Sequence, residues 1–288
     1  MLARHRIYLA RQSGQPKPWT ADKILQSYRF CNVYRELDTV TQWIRVNIRE
    51  KYAKHRDLWF MLCIARHFNW PPTLEALMRA YAWVGEGWFA HKAGLVLSRL
   101  PGQVYTGAYM INPPTTAELR ALPKQHRTKA WWSCLVVLSN LYAQRVRLRA
   151  AFEDMDTLWG AQQMLLGHRG WAGFMCYEVV SDLRWTRYLK DAEDIDTWAH
   201  LGPGALRGLQ RLHGRPLSHR PPQDLALREA RVVLKALWTD WPRGRNWPKL
   251  ELREVEHSLC EFDKYERVRL GEGRPRSRYN GLADKEGA

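Results

Sequence analysis

The feature that most constrains this chain is a three-and-four spacing of apolar residues that recurs from one end to the other. In "YRFCNVYRELDTVTQWIRVNI", Phe30, Val33, Leu37, Val40, Ile44 and Ile48 fall on one helical face. Helix is therefore expected over 20–52. "RDLWFMLCIARHF" reads as a second, buried helix ended by Asn69-Trp70-Pro71-Pro72, and "TLEALMRAYAWV" as a third with Thr73 as its cap. Another helix is expected over 85–100. "KAWWSCLVVLSNLYAQRVRLRAAF" predicts a long central helix, and "DLALREARVVLKAL" and "LREVEHSLCEFDKYERVRL" predict two amphipathic helices near the end. Only "GQVYTGAYMINPP" has β-like content, a hairpin or an extended loop around 102–112. The expectation is a mainly α protein: a basic N-terminal arm (1–18), one helical domain (19–270) and a flexible basic tail (271–288).

A second stripe runs beside the apolar one. Arg35, Asp38, Gln42, Arg45 and Arg49 follow the same steps, and Asn32, a mediocre helix former, sits inside the run. A solvated helix face is the ordinary explanation. Three arginines on one flank are also a natural grip for phosphate or carboxylate. Charge favours the second view: 45 Lys plus Arg against 29 Asp plus Glu leave a net +16, which predicts affinity for a polyanion, with nucleic acid first in line.

Other classes are set aside on pattern. No apolar run approaches the ~20 residues of a membrane span. The N-terminus lacks a signal-peptide stretch, so a cytoplasmic product is expected. The five cysteines form no CxxC pair, no HExxH occurs, and a metal site is not expected. GxxxxGK[ST] is also absent.

Glycines 167, 170 and 173 in "LLGHRGWAGFMCYEVVSDL" mark a tight turn that can offer backbone N–H groups to phosphate. Glu178 and Asp182 follow one turn apart on the next helix. Further on, "DAEDIDTWAHLGPGALRGL" brings Asp194 and Asp196 ahead of Trp198. This arrangement resembles the helix-hairpin-helix DNA glycosylases, in which a catalytic aspartate follows the hairpin; Asp196 matches that position better than Asp194. The four cluster-binding cysteines of many such glycosylases are missing.

Taken in order, "RFCNVYRELDTVTQW", "CIARHFNWP", "GFMCYEVVSDLR", "DTWAHLGPGALRGL" and "EHSLCEFDKYERVRLGEGRPR" resemble the phage α-glutamyl/putrescinyl-thymine pyrophosphorylases, or amino acid:DNA transferases. A related helical domain occurs in 5-hydroxymethyluracil DNA kinases. The resemblance implies a step of thymidine hypermodification in the host cytoplasm during phage infection. An amino acid or amine would replace the phosphate or pyrophosphate of activated 5-hydroxymethyluracil in double-stranded phage DNA, without cofactor or metal. Its implied catalytic carboxylates are Asp196, Asp182, Glu178 and Asp38. Asn32, Tyr34, Arg35, Arg66, Asn69, Arg207 and Lys264 would bind substrate. Gly170, Gly173, Gly202 and Gly204 would meet DNA, and Trp171, Trp185 and Trp198 stand nearest the hairpin as stacking surfaces for an extruded base. A 5-hydroxymethyluracil DNA kinase, a glycosylase-like enzyme and a non-catalytic DNA-binding protein are the alternatives.

Overall fold

The computed structural model describes residues 1–83, 87–109, 111–241 and 248–275. In chain order its helices are α1 (Leu2–Gln12), α2 (Lys23–Ser27), α3 (Thr39–Ile44), α4 (Leu58–Phe68), α5 (Pro71–Arg79), α6 (Ala90–Arg99), α7 (Thr116–Ala121), α8 (Lys129–Trp132), α9 (Ser139–Ala143), α10 (Arg145–Glu153), α11 (Leu158–Leu165), α12 (Gly173–Leu183), α13 (Pro203–Leu212), α14 (Gln223–Asp240) and α15 (Leu252–Arg269). Wider π turns continue α3 over Arg45–Glu50 and join α8 to α9 over Ser133–Leu138. The protein is mainly α, and no strand occurs among the described residues. These residues divide into two compact units, one of Met1–Thr41 with the chain from Asp194 onward, the other of Gln42–Glu193. No described helix is long and apolar enough to cross a membrane.

Several boundaries differ from the periodicity, each for a local reason. Helix does not run unbroken from 20 to 52. After α2 the chain is irregular, passes through a 3-10 turn at Arg35–Leu37, and becomes helical again only at Thr39. Side chains replace the helical ladder there: the Asn32 N–H donates to Asp38 Oδ1 at 2.9 Å, and Asn32 Nδ2 donates to the Leu37 carbonyl at 2.8 Å. The α5 helix begins at Pro71 rather than at a Thr73 cap, because prolines lose nothing in a first turn whose N–H groups need no helical acceptor. Thr73 is buried instead, and its hydroxyl donates to the Val104 carbonyl at 2.9 Å. That bond and the one from the Thr106 N–H to the Phe68 carbonyl hold 102–109 as an irregular loop, the non-hairpin alternative. The N-terminal segment carries α1, whose His5, Ile7 and Ala10 are buried; a short apolar face is enough to seat it. The central helix breaks at Gln144, between α9 and α10. Of the expected tail, 276–288 lie outside the described residues.

In the first unit, α13 packs along α15 through small residues. A Cβ on Gly208 would sit 2.4 Å from the Leu259 carbonyl oxygen, and one on Gly204 would sit 2.9 Å from Cys260 Sγ. In the second, α4 is buried at every position and packs against α12. Asn69 ends α4 in the left-handed conformation (φ 45), which asparagine tolerates better than most residues. Gly167 and Gly170 (φ 86 and 87) make the turn expected between α11 and α12.

Candidate functional site

Two polar clusters, one in each unit, gather seven of the site residues expected above. In the second unit, α4 and α12 bring Arg66, Asn69, Glu178 and Asp182 together. Arg66 donates through Nε and Nη2 to the two oxygens of Asp182, at 2.5 and 3.1 Å. Its Nη1 donates to Asn69 Oδ1 at 3.2 Å and to Tyr109 Oη at 3.3 Å, and lies 3.7 Å from Glu178. Tyr109 Oη in turn donates to Glu178. Arg49, on the π turn after α3, approaches Asp182 to 3.8 Å. These groups are almost wholly shielded, so the charges sit where screening is weakest. Burial alone would lower the Arg66 pKa; Asp182, Tyr109 and Glu178 outweigh it and raise it above the ordinary value. All three of its nitrogens are committed, so Arg66 acts here as the post that fixes two carboxylates.

The spacing of Glu178 and Asp182 promised a shared face, and the structure delivers it. Tyr109 was not legible, because it lies in an aperiodic loop. Arg49 belonged to the expected arginine stripe, but that stripe is not one surface: Arg45 is exposed beside Glu50, whereas Arg49 is buried.

In the first unit the cluster is built on α15 and the irregular 31–38 segment. Arg35 Nη1 lies 3.5 Å from His257 Nδ1, and His257 Nε2 lies 4.0 Å from Asp38 Oδ2. A guanidinium only donates, so Nδ1 serves as the acceptor and Nε2 carries the hydrogen towards Asp38. Burial, followed by the charges of Arg35, Arg253 and Lys264, pushes His257 well below its usual range and keeps the ring neutral. Burial raises the Asp38 carboxyl, against the opposing pull of the Asn32 N–H, Arg35 and Arg4. A carboxyl displaced upward beside a neutral imidazole is suited to passing a proton. Sequence reading missed His257, although His257, Glu261 and Lys264 repeat at helical steps along α15.

Cys31, Asp38 and His257 place a thiol, a carboxylate and an imidazole within 4.8 Å of one another. Tetrahedral zinc with bonds near 2.0–2.1 Å would bring nitrogen and oxygen to about 3.3 Å. The observed 4.0 Å demands a nearly straight N–metal–O angle, and Arg35 faces the same ring. The trio fits a hydrogen-bonding cluster better than a metal centre.

The remaining positions have separate settings. Asp196, in the turn ahead of α13, pairs through Oδ2 with Lys249, while its buried Oδ1 has no hydrogen-bond partner among the described residues. Arg207 donates from Nε to Asp263 at 2.9 Å. Lys264 pairs with Glu261 at 2.8 Å. Tyr34 is buried, donates to the Pro248 carbonyl at 3.1 Å and accepts from Trp241 Nε1 at 3.0 Å. Gly202 and Gly204 stand at the start of α13, as Gly173 does for α12, and neither helix has a side-chain cap. Gly170 packs closely: a Cβ there would meet Val137 Cγ1 at 2.7 Å. Trp171 belongs to the core, 6.0 Å from the His67 ring, whereas Trp185 is 38% exposed beneath the Arg184 guanidinium.

The family described as "5-hmdU DNA kinase, helical domain" matches residues 1–274. A 5-hmdU DNA kinase of Bacillus phage SP10 is 24% identical over 279 residues, 92% of this chain and 43% of that protein. The chain thus spans less than half the length of this relative. No solved structure matches.

Proposed function

Because the chain belongs to the family of the 5-hmdU DNA kinase helical domain, we propose that it acts on DNA carrying an activated 5-hydroxymethyluracil, exchanging the phosphate or pyrophosphate for an amine. The amine nitrogen attacks the exocyclic methylene as the C–O bond to the phosphate breaks. A C–N bond forms, phosphate leaves with the bonding pair, and the ammonium proton passes to a base. An amino-acid ammonium has a pKa near ~8–10, so most of it is not nucleophilic at neutral pH without such a base.

The observation that carries this reading is the setting of Asp196. One oxygen is tied down by Lys249 and the other is buried with its acceptor capacity unspent among the described residues, as a positioned base requires. Asp38, beside His257, is the next carboxyl able to move a proton. Arg35 supplies a cation for the leaving group or for the amino acid's carboxylate, with Asn32, Tyr34 and Lys264 of the same unit as further substrate contacts. Glu178 and Asp182, gripped by Arg66 within the second unit, are structural rather than catalytic. The base is extruded from the duplex for this reaction, at a cost of a few kcal/mol.

The relative's name favours a second reading, phosphorylation of the hydroxymethyl group. Against it, the chain contains no GxxxxGK[ST]. One assay separates the two. The protein is incubated with phosphorylated 5-hydroxymethyluracil DNA and a pool of amino acids, or with hydroxymethyluracil DNA and labelled ATP, and the digested nucleosides are weighed. Transfer predicts an amine-bearing nucleoside in the first arm. Label incorporation in the second arm alone would establish the kinase instead.

A further inference from the structure

Three guanidinium groups meet a single carboxylate where α13 packs on α15. Asp263 is 1% exposed, yet two of the cations around it, Arg207 and Arg267, reach solvent. Arg207 donates from Nε to Oδ2 and Arg211 from Nε to Oδ1, both at 2.9 Å, and Arg267 brings its Nε to 3.5 Å from Oδ2. Asp263 and Arg267 stand one turn apart on α15, a spacing that in an exposed helix gives only a surface pair; here Asp263 is a buried hub.

The manner of approach matters more than the count. Each arginine comes in through Nε, the nitrogen nearest its own backbone. The Nη groups of Arg211 are taken up by Glu272, at 2.5 and 3.4 Å. The Nη groups of Arg207 and Arg267 have no such acceptor among the described residues, and these side chains are 31% and 38% exposed. Both have their Nε within 3.5 Å of the same oxygen, so the two guanidinium groups gather on one carboxylate. Arginine forks match phosphate oxygens in pairs, and a fork already oriented loses little freedom on binding. Burying a carboxylate is unfavourable unless its partners are held well. Here it holds Arg207 by a hydrogen bond and Arg267 by an ion pair, both partly exposed.

We propose that Arg207 and Arg267, oriented by Asp263, clamp a backbone phosphodiester of the DNA. This rests on DNA being the substrate, as proposed above, but not on which chemistry follows. Asp263 is a positioning residue. The clamp therefore makes an unusual demand: removing this negative charge should weaken DNA binding, whereas simple Coulomb reasoning says it should strengthen it.

The test is a fluorescence-anisotropy titration of the full chain with unmodified duplex DNA across a range of salt. Arg207→Gln and Arg267→Gln should each lower the slope of log K against log salt by about 0.9, and the double variant by about 1.8. Arg228→Gln, on α14 beside Asp224, should leave the slope unchanged. Asp263→Asn should bind several-fold more weakly; if it fails to fold by circular dichroism, Arg207→Lys and Arg267→Lys ask the same question with the charge kept and the fork lost. A wild-type slope in the double glutamine variant, or wild-type binding by both lysine variants, would overturn the clamp, as would tighter binding by folded Asp263→Asn. A parallel arm uses DNA bearing phosphorylated 5-hydroxymethyluracil. Loss confined to that arm would show that the arginines grip the leaving group and not the backbone. Because the first arm needs no turnover, a failed clamp and a failed transferase reading remain distinguishable.

Discussion

Replacing Asp182 by asparagine tests the view that the cluster in the second unit is first a structural one. The native carboxylate takes two hydrogen bonds from Arg66 and stands 3.8 Å from Arg49, with all three side chains 3% exposed or less. The amide keeps the shape but removes the charge and turns a donor towards a guanidinium. Two buried cations then share what compensation Glu178 supplies. Breaking a buried pair from one side costs about 3–5 kcal/mol, a large part of an ordinary stability of about 5–15 kcal/mol. For a unit of this size that corresponds to a fall in Tm of roughly 6–20 °C. Thermal unfolding followed by circular dichroism reads it directly. Glu178→Gln leaves the two bonds between Arg66 and Asp182 in place and should lose clearly less. An Asp182→Asn protein within ~1 kcal/mol of wild type would refute the reasoning, and would return Asp182 to the list of carboxylates free for chemistry.

Other consequences follow from particular residues. Asp196→Asn and Arg35→Ala should abolish transfer while leaving folding and DNA binding largely intact; full turnover in both would remove the proposed base and the proposed cation together. Gly208→Ala puts a Cβ against the Leu259 backbone and should destabilise by ~1–3 kcal/mol in urea unfolding, even though alanine is the better helix former. His67 accepts or donates at 2.9 Å to Ser133, and burial, then Lys129, lowers its pKa from 6.5 to about 3. A depressed folded pKa means its contribution is present above pH 6.5 and is lost as pH falls towards 3. By pH 5 the loss is about 2 kcal/mol, and His67→Gln should lack that part of the difference between pH 7 and pH 5.

How much of this was legible in the sequence depended on whether a residue's neighbours lay on its own helix. Spacing placed Glu178 and Asp182 on one face of α12, and the glycines at 167 and 170 announced the turn before it, because both are local matters. The burial of α4 also followed from its apolar run. Sequence could not say that Asp38 and Asn32 would fold the 31–38 segment away from helix, since side-chain bonds to backbone compete with the ladder without altering the periodicity. Nor could spacing tell that Arg66 would be consumed by Asp182, 116 residues away, or that His257 would meet Arg35 from 222 residues off. Asp263 is the sharpest case. Its i, i+4 neighbour Arg267 suggested a weak exposed pair, and only the packing of α13 brought Arg207 and Arg211 to bury it.

The most direct measurement of the central claim is the stoichiometry of a single incubation. Phosphorylated 5-hydroxymethyluracil DNA, the protein and an amine substrate are combined, and released phosphate is counted against new nucleoside over time. Displacement predicts one phosphate for each amine-bearing nucleoside, with the glycosidic bonds intact. Phosphate released with hydroxymethyluracil as the only product, or no release at all under conditions where the DNA is bound, would contradict it.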